Sequence, residues 1–446
     1  MDTSGIPVVL AMRDGLRIRD DHVDTLRRLG LAIHLLTEEQ QARDDTRYTA
    51  VHLLPAATTD RELEERITAV LASTGAPFAL TFQETDIVAV GRANSRYGVH
   101  WSRPDADAVA RDKTLQRAHL TANGLPAPRY RAVGAHGAGP DALDHVGLPC
   151  VVKPTRGASS SHVELVRTPE EATAALDAIE RLARSGAHHF YDVLPDEWAL
   201  VEEYLPGEEV TCDGVVIDGR FHLGGVHTKV LPDSPWFEED LYTLPYGDPA
   251  VEQEITATAQ AMVSALDLEV ALFNVELRRD SQGRFRVVEF STRISGGHVY
   301  RNIRDVHEID LVELFVRAAL GEEGIAKRAR DRHPGACATC IKFVYRNGIV
   351  VSNGAGRAEA SSAFAAYYPL ATPGQEVRSA PEGFDLCGLL SVRAPYEPRQ
   401  HPAQVHRVAE ELLGELDLVV APFAARVDST GRPDTAQPAE GGAARH

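Results

Sequence analysis

Short apolar runs alternate with polar helical stretches through the first hundred residues. The runs at 6–11, 31–36, 50–54 and 78–82 read as buried strands, and 60–73 reads as a helix between two of them. Strand–helix alternation of this kind predicts an open α/β domain, with a parallel sheet covered by helices. No GxGxxG follows the first run, so the domain lacks a dinucleotide fingerprint.

Further along, the pattern predicts a helix over 105–123, capped by Asp105 and stopped by Gly124, Pro126 and Pro128. Lys113 and Arg117 then share a face, being four residues apart. The small-residue stretch 134–141 reads as a loop, 148–153 as a strand and 169–184 as a helix opened by Pro169. Two strands lie in 198–217 around Pro206–Gly207, and 231–249 reads as one long loop of the length that often serves as a lid. Helix 250–266 carries its apolar stripe at Val251, Ile255, Ala259, Met262 and Leu266. A hairpin is expected over 270–291, a helix over 308–320, and a further small α/β piece over 337–421 ending in an amphipathic helix at 403–416. From about 426 the chain is polar and Gly/Pro/Ala-rich, and reads as disordered.

Composition narrows the class. A chain of 446 residues holds two to four packed units. Its net charge of −19 argues against a nucleic-acid partner. No apolar run approaches membrane-spanning length, and the first residues lack a signal-peptide pattern, so a cytoplasmic location is the expectation. The five cysteines are scattered. Cys337 and Cys340 have CxxC spacing but no second pair, and read as ordinary reduced residues.

The candidate chemistry begins at 151–163. A buried strand ends in Lys153, a compact mobile cation, and runs into a loop of small residues. Gly157 permits unusual backbone angles, while Ser159, Ser160 and Ser161 offer hydroxyls and close N–H groups to phosphate. In the hairpin, pairing Arg279 with Arg284 sets Glu276 opposite Val287 and makes Glu289 its diagonal neighbour, about 7–8 Å away. Asn274 and Ser291 share that face; Phe273, Val275, Leu277, Val288 and Phe290 take the other, the core face. Two acids among apolar strands need cations, and hard oxygen ligands suit magnesium bridged by phosphate. Arg293 and Gly296–Gly297 follow directly. The segment 201–210 ends a strand at Pro206–Gly207, where it either presents peptide groups to a flat base, with Glu209 toward sugar hydroxyls, or makes a plain hairpin. His227 is a candidate base or positioning group, with Lys229 nearby.

Lys113, Lys153 with its loop, the 201–210 segment, and Glu276 with Glu289 to Arg293 stand in an order that resembles the ATP-grasp superfamily, and within it the L-amino-acid ligases that join a carboxylate to an amine. The resemblance covers roughly residues 1–420. It implies an N-terminal pre-ATP-grasp domain (1–105), a first lobe with both lysines (106–200), a second lobe with hinge and metal hairpin (201–335), a C-terminal subdomain completing that lobe (336–425) and a tail (426–446). It implies that Lys113, Lys153, Gly157, Ser159 and Ser160 contact ATP phosphates. Glu202, Glu203 and Leu205 would supply the adenine hinge, and Glu209 would hold the ribose. Glu276 and Glu289, with Ser291 a weak third ligand, would bind two Mg2+ ions, Mn2+ being an alternative. Arg293 would steady the phosphoryl group and the substrate carboxylate. Two departures stand out: His162 replaces the loop's usual glycine, and Ser291 replaces the usual asparagine. The implied activity is ADP-forming amide synthesis from small-molecule substrates through an acyl phosphate, in a dimer as look-alike enzymes often are. The rivals are a carboxylase-type enzyme, a hydroxyl kinase and a non-catalytic nucleotide-binding module.

Overall fold

The computed structural model describes every residue except 135–138, 158–159, 186–194, 233, 334, 381–382, 384, 398–400 and 424–446. Ser159 and the polar tail therefore lie outside the described residues. No described helix is long and apolar enough to cross a membrane.

The first strands are β1 (Pro7–Ala11), β2 (Ala32–Thr37), β3 (Ala50–Leu53) and β4 (Ala79–Leu80), all parallel in the order β3-β2-β1-β4. Helices α1 (Asp20–Arg28), α2 (Asp60–Thr74) and α3 (Ile87–Tyr97) connect and cover them. A capping box starts α2: Thr59 and Glu62 each satisfy the other's backbone N–H. Beneath these elements the Arg13 guanidinium is fully buried. Its Nε donates to Asp86 at 2.6 Å, and its other donors reach Asp60, Thr58 O and Thr85 O.

The helix expected over 105–123 is two helices, α4 (Pro104–Arg111) and α5 (Lys113–Ala122). Pro104 rather than Asp105 opens the first. Asp112 between them is extended, and its carboxylate caps the N–H groups of Thr114 and Leu115. This break sets Lys113 at the first turn of α5, where its N–H donates to Thr155 O at 2.8 Å.

Next comes a four-stranded antiparallel sheet, β5-β8-β6-β7, built from β5 (Tyr130–Gly134), β6 (Cys150–Pro154), β7 (Glu164–Val166) and β8 (Glu197–Glu203). Helices α6 (Gly139–Val146) and α7 (Pro169–Ser185) pack on it, so part of the loop expected at 134–141 is strand end and helix start. Pro206–Gly207 then carries the chain out of this sheet and into another. It is a crossover, not a hairpin. A Cβ at position 207 would meet Arg279 O at 2.9 Å and Arg279 Cβ at 2.6 Å, so only glycine fits.

The second sheet has eight strands in the order β13-β12-β9-β10-β11-β14-β18-β16. Its members are β9 (Glu209–Ile217), β10 (Arg220–Val230), β11 (Leu241–Leu244), β12 (Ala271–Arg279), β13 (Phe285–Ser291), β14 (Ala338–Val344), β16 (Phe364–Pro369) and β18 (Gly388–Ala394). The expected long loop 231–249 thus contains a central strand, and α8 (Pro249–Ala265) begins at its end. The expected helix 308–320 is α10 (Leu311–Ala319), preceded by α9 (Val299–His307), which the reading missed, and followed by the short α11 (Ile325–Arg328). Three strands of the 337–421 segment extend the large sheet; β15 (Gly348–Gly354), β17 (Glu376–Val377) and β19 (Asp417–Ala421) form a small one, and α12 (His401–Leu413) lies between β18 and β19.

One face of the large sheet is apolar. Phe273, Val275, Leu277, Val287 and Phe290 pack there with Ile255, Ala259, Met262 and Val263 of α8. Register puts Glu209, Thr211, Asp213, Asn274, Glu276, Glu289 and Ser291 on the opposite face. Removing one partner of a buried ion pair leaves a charge stranded. Asp86→Ala is therefore expected to destabilise the protein by about 3–5 kcal/mol in urea unfolding; a loss below about 1 kcal/mol would show that Asp60 and the two carbonyls suffice for Arg13.

Candidate active site

The hairpin of β12 and β13 differs from its expected register by one residue beside its loop and by two beyond a bulge. Glu276 pairs directly with Glu289, and Leu277 pairs with Val287. Val288 is left as a bulge, and Arg279 faces Phe285 rather than Arg284. The bulge has two results. It sets the carboxylates side by side instead of diagonally. It also turns Val288 out of the core into the cleft, where its carbonyl accepts from Arg117 Nη2 and, at 3.5 Å, from Lys153 Nζ.

Each carboxylate has its own lysine, on a different element. Lys113 Nζ lies 2.7 Å from Glu289 Oε1, and Lys229 Nζ lies 3.0 Å from Glu276 Oε2. Burial pushes the Glu276 carboxyl up to about 7; Glu289, Glu209 and Glu239 push the same way, and Lys229 opposes them. Burial also acts on Glu289, but Lys113, Lys153 and Arg293 outweigh it and hold this carboxyl below its ordinary value. Lys229 is buried among Glu209 (2.7 Å), Glu276 and Glu239 (3.8 Å), which keep it charged well past the ordinary lysine range despite that burial.

A buried triad forms the opposite wall. Glu202 pairs with Lys153 at 2.7 Å and with Arg117 at 2.7 Å. Burial lowers the Lys153 ammonium to about 8, with Glu202 opposing the fall. Glu209 is shared between Lys229 and Arg278 (3.1 Å), and Glu203 is held by Arg129 (2.9 Å). Lys113, Lys153, Gly157, Ser160, Glu202, Glu203, Leu205, Glu209, Glu276 and Glu289 line one cleft of about 720 Å³ between the two sheets. Ser160 and His162 both have left-handed backbone, φ 54° and 58°. The histidine thus stands where glycine would sit without strain. The flap 235–236 meets this loop region: Pro235 O accepts from Leu165 N at 2.8 Å, and Trp236 bridges to Glu164.

Three residues expected at the site do not line the cleft. Ser291 donates its hydroxyl to Glu84 at 2.9 Å, so it is engaged away from the paired carboxylates. Arg293 donates Nε to the same Glu84 oxygen at 2.6 Å and Nη1 to Ile294 O. His227 is fully buried beside His307; burial pulls it down to about 3, so it cannot serve as a base at neutral pH. Residues the motif reading passed over include Glu84, Tyr204, Phe237 and Arg278, whose guanidinium lies over both aromatic rings at 5.6 and 5.1 Å. Only Arg117 carried a local signal, its helical spacing from Lys113.

Arg117 does not line the cleft, yet it balances Glu202. Arg117→Ala is expected to cost about 3–5 kcal/mol; a loss under about 1 kcal/mol in thermal unfolding would mean Lys153 alone compensates. Asp107, bonded to Thr292 at 2.6 Å, is pushed up to about 7 by burial. The folded protein then keeps a proton that the unfolded chain releases near pH 4, so this group lowers stability as pH rises from about 4 to about 7. Asp107→Asn should flatten that decline in melting temperature; an unchanged slope would reject the assignment.

Residues 146–301 match the ATP-grasp domain family. Alanine–anticapsin ligase of Bacillus subtilis is 23% identical over 296 residues, covering 63% of this chain and 62% of that protein, so the chain spans under two thirds of that relative's length. D-alanine–D-alanine ligase of Delftia acidovorans is 29% identical over 165 residues, 35% of this chain and 47% of that one. The crystal structure of an L-amino acid ligase from Bacillus licheniformis superposes with a TM-score of 0.77 at 17% identity, over 94% of this chain and 99% of that one, a likeness of fold. Residues 146–301 thus carry an ATP-grasp domain, the chain has the multi-domain α/β fold of its ATP-grasp structural neighbours, and it is similar to the L-amino-acid ligases among them.

Proposed function

We propose that this protein is an ATP-dependent carboxylate–amine ligase that makes a dipeptide-like amide from small molecules in the cytoplasm, releasing ADP and phosphate. The observation that carries the reading is the single cleft that joins two buried lysines to a facing pair of carboxylates. Lys113 and Lys153 would meet the phosphates, with Gly157 and Ser160 approaching through backbone and hydroxyl. Leu205 and the neighbouring peptide groups would edge the base. Glu209 is already shared by two cations, which favours a role in orienting Lys229 and Arg278 beside a ribose contact.

Glu276 and Glu289 suit magnesium. Both are oxygen donors, and burial leaves Glu276 half protonated near neutral pH until a cation replaces the proton. Among the described residues no cluster of three or more His, Cys, Asp or Glu forms a metal cage, so phosphate oxygens would complete the coordination. When bound, the ion would neutralise charge on the phosphates.

A substrate carboxylate oxygen attacks the γ-phosphorus, and the bond to the ADP oxygen breaks. The amine then attacks the acyl carbon, the bond to the phosphate oxygen breaks, the departing phosphate takes up the amine's proton, and the amide forms. Arg293, fixed by Glu84 and near enough to Glu289 to help hold its carboxyl down, would orient the acid. The flap at 235–236 against β7 would keep water from the acyl phosphate.

The test is phosphate release from magnesium ATP with amino acids singly and in pairs, with products weighed by mass spectrometry. A product at the summed mass less water is expected. Release that needs bicarbonate, or hydrolysis with no condensed product, would reject the ligase reading. Glu276→Gln is expected to lower kcat at least 100-fold while nucleotide binding persists; a loss under tenfold would remove Glu276 from the chemistry.

A further inference from the structure

Two arginines are buried in the N-terminal sheet domain, and the chain treats them differently. Arg13 is saturated, with carboxylates on Nε and Nη2 and carbonyls on Nη1 and Nη2. Arg19 ends a 3-10 turn just before α1 and is 2% exposed. Among the described residues it makes no ion pair. Its Nη1 donates to Ser295 O at 3.0 Å and lies 3.5 Å from His22 Nε2, while its Nε has no partner. An uncompensated buried guanidinium is costly.

The acids nearby are committed elsewhere. Glu84 serves Ser291 and Arg293. Asp213 accepts from the N–H and hydroxyl of Ser295 and from Asn274. Other polar atoms here lack partners as well: His22 Nδ1, and both ring nitrogens of His298, whose ring lies tilted against that of Tyr368. Burial and the charge of Arg293 lower Arg19 to about 9, and Glu84, Tyr368 and Asp213 all act on it. Arg19 therefore sits beside the Arg293–Ser295 segment with an unused donor.

Resting on the ligase reading, we propose that Arg19 binds a substrate carboxylate that is not the one activated. Arg293 and the metal pair would serve the reacting acid, and Arg19 a second, unreacted one. The substrate class is then an amino acid that supplies the amine and keeps its α-carboxylate, or a dicarboxylic amino acid that supplies the acyl group. Simple amines and monocarboxylates alone would leave Arg19 unpaired.

The test is calorimetric binding to the full chain with magnesium and a non-hydrolysable ATP analogue. The probes are the common amino acids against their C-terminal amides, and aspartate and glutamate against asparagine and glutamine. Wild type is expected to prefer the acid of at least one pair by about 10- to 150-fold, the worth of a charge-assisted hydrogen bond. A preference over the C-terminal amide that Arg19→Gln removes names an amine-donating amino acid, since an acyl donor's reacting carboxylate is held by Arg293 and the metal pair; a preference for aspartate or glutamate that Arg19→Gln removes names a dicarboxylic acyl donor. Arg19→Gln should abolish the preference while leaving affinity for the ATP analogue unchanged, and Arg19→Lys should restore part of it. Wild type that binds no acid better than its amide, or Arg19→Gln that weakens acid and amide equally, overturns the proposal. Turnover is scored separately: absence of condensed product with every pair rejects the ligase reading, whereas carboxylate-dependent binding through Arg19 would stand.

Discussion

Two carboxylates facing each other across a strand pair repel, and the site is organised around relieving that repulsion. Glu276 and Glu289 come together through one bulge residue, Val288. Their compensation comes from elsewhere: Lys113 from the start of α5 and Lys229 from β10. Lys153 and Arg117 then balance Glu202, which ties β6 and α5 to β8. Lys229 with Glu276, and Lys153 with Glu202, pair within one sheet each, whereas Lys113 and Arg117 reach from α5 to Glu289 of the large sheet and Glu202 of the small one and so tie the two together. The requirement that buried charge be paired holds the cleft in shape. It also leaves Glu276 short of positive charge, since Lys229 is shared with Glu209 and Glu239.

The N-terminal domain belongs to the same arrangement. Glu84 holds Arg293 and Ser291 in place, and Asp21 receives Arg301 and the hydroxyl of Tyr368. Phe78, Trp101 and Phe315 meet edge-on at 5.7, 5.8 and 6.1 Å and anchor the domain to α10. Packing sets the domain against the large sheet, and polar contacts aim it at the Arg293 segment. The same placement brings Arg19 to Ser295 without giving it an ion pair among the described residues.

Period-two and period-3.6 patterns are local, which is why the strands of the N-terminal sheet, α2, α7, α8 and the β12–β13 hairpin were legible from residue order. So were Lys153, its small-residue loop and the two hairpin acids, because a charge within an apolar run stands out wherever the run ends up. The break at Asp112 was not, since a cap within a helical pattern costs one residue and leaves the periodicity intact. Nor was β11, hidden among the prolines and acids of 231–249 and made a strand only by its neighbours β10 and β14.

Residue order alone determined most of the elements, the order of the lysines and acids along the chain, and the apolar face on which the hairpin rests, since each follows from neighbours within a turn or a strand. Tertiary structure decided the rest. It shifted the hairpin by one residue and added a bulge so that Glu276 and Glu289 meet, turned Pro206–Gly207 into a crossover between sheets, and buried His227 away from the cleft. It engaged Ser291 with Glu84 and left Arg19 without an anion. These outcomes depend on which distant groups arrive at a buried position and whether their charges cancel, and no local pattern encodes that sum.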